Sequence, residues 1–159
     1  MLMTPGEVSE LSAQRVDARA RLDVRRSDGR TRIERLYQEG AAKIRLPEVR
    51  GDPLEAILIN TAGGLTGGDR LAQTIDWNEG TRALVAGQAA EKIYRASSGV
   101  AEVRTRLGVG SGAQAEWLPQ ETIFFDGAAL SRDTVVGLMP DSRFLGLGRA
   151  AFGQDSGDE

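Results

Sequence analysis

Three carboxylates with the potential for chemistry recur five residues apart, at Glu116, Glu121 and Asp126, in an aromatic-rich segment interrupted by Pro119. Two facing carboxylates can act as acid and base in hydrolysis, and clusters of carboxylates bind hard metal ions. The alternation of a strand, however, would place Glu116 on the polar side, opposite Trp117. A solvated or interfacial face is therefore the favoured interpretation, and a small carboxylate-based hydrolase is kept as an alternative.

The residue types that most often carry catalysis are missing, because the 159 residues include no histidine and no cysteine. Disulfides, thiolate metal sites and cysteine nucleophiles are thereby excluded, and the commonest general base is absent. Serine and threonine hydroxyls consequently have no histidine to activate them, which disfavours nucleophilic catalysis. We predict a protein that is not an enzyme and that binds no cofactor tightly.

A glycine-rich segment lies between two apolar stretches, with the pairs Gly63-Gly64 and Gly67-Gly68 on either side of Leu65-Thr66 and immediately before Asp69. Glycine loops that follow a strand can bind phosphate through backbone N–H groups. Here neither of the two phosphate-binding glycine spacings occurs, the lysine is missing, and the following residues alternate as a strand does. Gly63, Gly64, Gly67 and Gly68 are therefore predicted to form a structural turn.

Alternation of apolar and polar residues indicates strands along most of the chain. It begins at Ala18 to Val24, passes through a turn at 27–30, and predicts a hairpin partner that extends to Ile44. The apolar run Ala56 to Ile59 is typical of a strand buried on both faces. Further strands are predicted at 81–86, 100–109, 113–118, 123–125 and 134–138. This succession predicts a mainly β fold of layered or solenoid-like antiparallel or mixed sheets, with at most one or two short helices. No strict repeat is visible, so a sandwich, a barrel and a solenoid all stay open.

The segment from Gln88 to Tyr94 is the one place where a helix is considered. On a helix, Glu91 and Arg95 would be four residues apart and could pair on a solvated face.

Composition limits the partners and the organisation of the chain. The net charge is -3, no apolar run approaches the ~20 residues of a membrane span, and no basic block is interleaved with aromatics. Residues 1–14 lack the features of a secretory signal. We therefore expect a cytoplasmic protein that contacts neither membrane nor nucleic acid. The predicted organisation is a disordered tail at 1–15, one β-rich domain at 16–153, and an acidic disordered tail at 154–159.

Three segments in order, 60–69, 88–95 and 116–127, closely resemble the urease accessory protein UreD family, also called UreH. The resemblance extends from Ala18 to Gly153, with a further family segment at 148–153. It implies a cytosolic, non-catalytic, chaperone-like scaffold that binds apo-urease. It also implies a partner, UreF, which brings the nickel-carrying GTPase UreG, so that nickel reaches the dinuclear urease site.

The same resemblance implies that nickel passes through an internal tunnel. Asp69, Glu91, Glu121 and Asp126 lie on the family segments and are the candidate ligands for nickel in transit, with Lys92 beside them. Without imidazole or thiolate, such a passage would offer carboxylates, carbonyls and water, which suit weak binding.

Family members are longer, and the resemblance implies a C-terminally truncated copy. The stretch 141–148 is compressed, and Gln154 stands where the family has a glutamate. We expect unpaired strand edges in such a chain, and a degenerate, non-functional copy is the second alternative.

Overall fold

The computed structural model describes residues 14–48 and 51–153, and these residues form strands, turns and loops without a helix. The strands are β1 (Asp17–Ser27), β2 (Arg30–Glu39), β3 (Ala42–Arg45), β4 (Leu54–Asn60), β5 (Arg70–Trp77), β6 (Arg82–Gly87), β7 (Glu91–Ile93), β8 (Ala101–Val109), β9 (Gln114–Leu118), β10 (Thr122–Phe124), β11 (Leu130–Leu138), β12 (Arg143–Gly146) and β13 (Ala150–Phe152). The described part of the chain therefore contains no helix that could cross a membrane. The predicted tails lie almost wholly outside the described residues, and the domain bounds stay a prediction.

Strands β5 to β13 follow one path three times. Sheet A contains β5, β8 and β11, sheet B contains β6, β9 and β12, and sheet C contains β7, β10 and β13, and within each sheet these strands are parallel neighbours. Each passage from sheet A through B to C is a rung of about 30 residues. The rungs stack on one another, so the predicted mainly β, solenoid-like fold is confirmed.

The corner between sheets A and B shows why the rungs are equivalent. A backbone turn closes there in each rung, with Thr81 N–H donating to Asn78 at 3.1 Å, Ala113 to Gly110 at 3.1 Å, and Ser142 to Met139 at 3.3 Å. Turn-forming residues at these places end one sheet and start the next at the same point of each rung. The corners thus set the register in which the sheets stack.

The four N-terminal strands close the start of the solenoid. The β1–β2 hairpin is antiparallel, as predicted, with turn residues Asp28 and Gly29 at φ 51° and 72°. Its second strand does not extend to Ile44, because β2 ends at Glu39 and Ile44 pairs with β4 in sheet B. In sheet A, β1 pairs in parallel with β5, and in sheet B the antiparallel pair β3–β4 joins β6 through β4. In sheets A and B the first rung therefore has neighbouring strands on both sides.

Two predictions about local structure are wrong. The segment Gln88 to Tyr94 contains strand β7 rather than a helix, because its backbone pairs with β10 in sheet C. In β4, Ala56 and Leu58 are buried but Ile57 and Ile59 are only partly buried, because the outer face of sheet B is not covered by another layer.

The core lies between the inner faces of the sheets. Inward positions alternate along β1, β5, β6 and β8, and the largest fully buried side chains include Trp77, Leu22, Leu65, Ile75 and Ile93. The indole N–H of Trp77 donates to the carbonyl of Ala83 at 2.9 Å, which satisfies its polar atom inside the core.

Candidate functional site

A cavity of about 180 Å³ lies inside the solenoid, between the apolar core and sheet C. Its wall on sheet A carries a polar row, since Gln73, Thr105 and Thr134 are in register on β5, β8 and β11 and all point inward. The hydroxyl of Thr105 lies 3.4 Å from the side-chain oxygen of Gln73. Polar residues at inward positions of three neighbouring strands give the cavity a hydrophilic side.

Glu91 projects into this cavity from β7 and is held by an arginine of the third rung. One carboxylate oxygen, Oε2, accepts a hydrogen bond from Arg132 Nη2 at 2.6 Å, and Arg132 Nη1 donates to the hydroxyl of Thr122 at 2.7 Å. The Glu91 side chain is 22% exposed and that of Arg132 is 36% exposed. The ion pair therefore joins a carboxylate in the cavity to a guanidinium on the exposed third rung.

Two polar atoms in the cavity wall are buried without a hydrogen-bond partner among the described residues. They are Oε1 of Glu91 and Nδ2 of Asn60. A buried carboxylate oxygen that lacks a partner costs free energy, and it is an available acceptor or ligand atom for anything that enters.

The pKa of the Glu91 carboxyl is raised above its ordinary value. Desolvation by burial is the main cause, and the charge and hydrogen bond of Arg132 oppose it. The proton is thus a competitor for the same oxygens that a cation would use.

Both carboxylate oxygens of Asp69 accept hydrogen bonds from the backbone. Its Oδ1 accepts the backbone N–H of Val16 and its Oδ2 accepts that of Thr66, both at 2.8 Å, and the residue is 4% exposed. Both oxygens are therefore occupied in fixing the glycine-rich segment to the start of β1. Among the cavity-lining residues of the described chain, Glu91 is the only carboxylate.

The remaining candidates lie away from the cavity. Glu121 pairs with Arg149 at 3.3 Å, and Asp126 pairs with Arg95 at 3.0 Å on the surface. Arg95 consequently does not pair with Glu91. A helix would have allowed that pair. Within residues 14–48 and 51–153, no three carboxylates come close enough to share a metal ion.

Glu116 and Lys92 are both exposed, and neither lines the cavity. The three evenly spaced carboxylates, Glu116, Glu121 and Asp126, thus face solvent or surface arginines. Nothing in this arrangement favours the hydrolase alternative.

The glycine-rich segment packs against the chain that follows β7. A Cβ on Gly64 would overlap the ring of Tyr94, and one on Gly67 would overlap the carbonyl oxygen of Ser98. Gly63 and Gly68 have φ angles of 77° and 89°. The segment thereby brings its backbone to the cavity wall at Gly63 and Gly64.

Comparison with known proteins decides the family. A family model described as UreD urease accessory protein matches residues 16–159. The urease accessory protein UreD of Rhizobium leguminosarum bv. viciae is 56% identical over 146 residues, covering 89% of this chain and 54% of that protein. UreD 1 of Brucella anthropi is 49% identical over 154 residues, covering 97% of this chain and 54% of that protein.

The chain belongs to the UreD family. It spans about half the length of the curated relatives it matches. The resemblance read from the three sequence segments is thus confirmed. Of the carboxylates on those segments, Glu91 faces the cavity and Asp69 accepts hydrogen bonds from the backbone.

Sequence reasoning missed the part of the cavity wall that sheet A supplies. Arg132 and the inward polar row were not predicted to line a cavity, although each interrupts the apolar inward face of a strand. Gln73 between Leu71 and Ile75 is such a signal, since a polar residue at a core position requires a partner or a cavity. In this UreD-family chain, the polar part of the wall combines one carboxylate, one guanidinium, amides and hydroxyls.

Proposed function

We propose that this chain is a urease maturation scaffold that acts in the cytosol with UreF, UreG and apo-urease as partners. Membership of the UreD family supports this role. The scaffold would help assemble the nickel metallocentre of urease. GTP hydrolysis would be carried out by the partner.

Nickel is the cargo in this proposal, and Glu91 is the residue that it would meet. The observation that carries the proposal is the unpartnered Oε1 of Glu91 in the cavity wall, beside a hydrophilic row of side chains. A single carboxylate with water as the other ligand binds nickel weakly, which suits transit rather than storage. The Arg132 guanidinium already compensates Glu91, so a cation must compete with it for the carboxylate.

The scaffold role is tested by pull-down with UreF and with apo-urease. A folded sample that retains either partner supports the proposal. Folded protein that retains neither partner would count against a maturation role for this chain.

The passage role needs a separate measurement, namely the nickel content and activity of urease matured in the presence of each variant. Glu91→Gln is expected to keep partner binding and to lower nickel incorporation. Glu121→Gln is the matched control, because Glu121 lies on a neighbouring family segment but pairs with Arg149 outside the cavity. Equal nickel incorporation by both variants would remove Glu91 from the route.

A further inference from the structure

The outer face of sheet B carries a row of apolar side chains. Ile57, Ala86 and Leu118 lie in register on β4, β6 and β9, and Leu84 lies two residues before Ala86 on the same face of β6. All four side chains are only half-buried, although each of the three strands has a neighbouring strand on both sides. Their exposure therefore comes from the uncovered face of the sheet, and contiguous apolar surface of this kind marks interaction sites.

Charged side chains border this apolar row. Glu55 and Glu116 lie on either side of Leu84 in register, and Lys43 and Arg45 lie on β3, beyond the β4 end of the row. None of these four charged side chains forms an ion pair with another described residue. An apolar centre with a charged rim is the arrangement of a protein–protein interface, and the signs of the rim charges restrict what can bind.

The geometry of this face favours a helix as its occupant. The backbone groups of β4, β6 and β9 face neighbouring strands of sheet B, so a partner packs on the face through side chains and adds no strand. The row crosses three strands, or about 10 Å, which is the length of about two helical turns. Glu55 and Glu116 are two strands apart, also about 10 Å, which matches residues six or seven positions apart on a helix.

We propose that the outer face of sheet B binds an amphipathic helix of a partner protein in urease maturation, an inference that rests on the proposed scaffold role. The apolar stripe of the helix would lie along Ile57, Ala86 and Leu118. Basic residues six or seven positions apart would face Glu55 and Glu116, and an acidic residue at one end would face the cations of β3.

A second copy of this chain fits the face less well. Two copies packed face to face through sheet B would be related by a two-fold axis in the plane between the sheets. An axis along the strands lays the row of Glu55, Leu84 and Glu116 on itself, so the carboxylates meet each other or leucine. An axis across the strands lays Glu55 on itself or on the isoleucines of β4. Both arrangements bury a carboxylate against like charge or apolar surface, which is costly.

The experiment is a quantitative pull-down of UreF and of apo-urease, added separately, by the parent chain and two variants. Leu84→Asp places a charge in the apolar row and should weaken the binding of one partner by about tenfold or more. Val135→Asp is the matched control, because Val135 is 49% exposed on the outer face of sheet A, and it should change binding by less than about threefold. Far-UV circular dichroism checks the fold of each variant.

The outcomes separate this inference from the scaffold role. Undiminished binding of both partners by folded Leu84→Asp would overturn the docking face and leave the scaffold role intact. A parent chain that binds neither partner would overturn both. Dimers of the chain that Leu84→Asp dissociates, without binding of a partner, would overturn the proposal and assign the face to a second copy.

A charge variant tests the same face if Leu84→Asp does not fold. Glu116 is exposed, so Glu116→Lys should keep the fold and should weaken binding by about tenfold, because the basic flank of the helix would meet like charge. Asp133→Lys is the control, since Asp133 is exposed on the outer face of sheet A, and it should change binding by less than about threefold. Unchanged or stronger binding by Glu116→Lys would overturn the proposed helix.

Discussion

The second and third rungs have the same path, nearly the same length and aligned registers, yet their side chains differ sharply in exposure. Strand β8 alternates between buried and exposed residues, whereas almost every residue of β11 is exposed. The inward sequence Val103, Thr105, Leu107 in β8 corresponds to Arg132, Thr134, Val136 in β11. A strand in a solenoid is thus buried only where other strands cover it on both sides. Its own alternation of apolar and polar residues is not sufficient to bury it.

The two rungs also differ in what they contribute to the cavity. Val103 adds apolar surface, while Arg132 at the register-equivalent position reaches the Glu91 carboxylate in sheet C. A guanidinium is tolerated there because a third of its side chain is in solvent. The exposed rung therefore carries the charge that the buried rung could not carry.

The largest expected effect is a difference in stability loss when an inward leucine is truncated to alanine in the second rung and in the third. Leu107→Ala should lower the free energy of unfolding by about 2–4 kcal/mol, because it leaves a cavity in a packed position. Leu138→Ala should lower it by less than about 1 kcal/mol, because the side chain is already 56% exposed. Urea unfolding of the two variants measures both. Equal losses would mean that the third rung is covered in solution.

A smaller effect is expected at the ion pair between Glu91 of the first rung and Arg132 of the third rung. Arg132→Gln should lower the free energy of unfolding by about 1–2 kcal/mol, because it leaves the Glu91 carboxylate without its cation; solvent around Arg132 keeps the loss below that of a buried pair. Arg149→Gln, which removes the partner of Glu121 at the surface, should cost less than about 0.5 kcal/mol.

The double variant Arg132→Gln with Glu91→Gln completes a thermodynamic cycle with the two single variants. Stability close to that of the parent chain is expected, because the uncompensated carboxylate is gone. A double variant that loses the sum of both single losses would show that the two side chains do not interact.

Much of the fold could be predicted from local patterns. The alternation from Ala18 to Val24 and the Ser27 to Arg30 turn correctly predict β1 and its hairpin with β2. The stacking of rungs was harder to predict, because the equivalent corners at Thr81, Ala113 and Ser142 share turn geometry but little sequence. The same backbone hydrogen bond can therefore recur in each rung although the residue types at the corner differ.

The candidate site could be predicted only in part, for a physical reason. The family segments locate Glu91, but whether a carboxylate faces a cavity or a surface arginine depends on contacts far along the chain. Arg132 is 41 residues from Glu91, and Arg149 is 28 residues from Glu121. Asp69 resembles a ligand in the sequence, yet the N–H groups of Val16 and Thr66 occupy it in the fold.

The smallest expected effect is a pH dependence that arises from Glu91, where the first rung contacts Arg132 of the third rung. The raised pKa of Glu91 means that the folded chain holds this proton to higher pH than the unfolded chain, so unfolding releases a proton above the ordinary value of 4.5. Glu91 therefore makes stability fall as pH rises through that window, up to its raised pKa, beyond which its contribution is constant. Urea midpoints are measured from pH 4.5 to 7.5 for the parent chain and for Glu91→Gln. The difference between the two isolates the contribution of Glu91 from that of the other titrating groups.

The same pH measurement on a variant of Arg132 is a sharper test. Its charge and hydrogen bond favour the ionised carboxylate and so oppose the desolvation that raises the pKa. In Arg132→Gln the pKa of Glu91 should rise further, and stability should decline more steeply and over a wider pH range than in the parent chain. An unchanged decline would mean that the exposed third rung does not control protonation inside the cavity, and the electrostatic link between the first and third rungs would have to be abandoned.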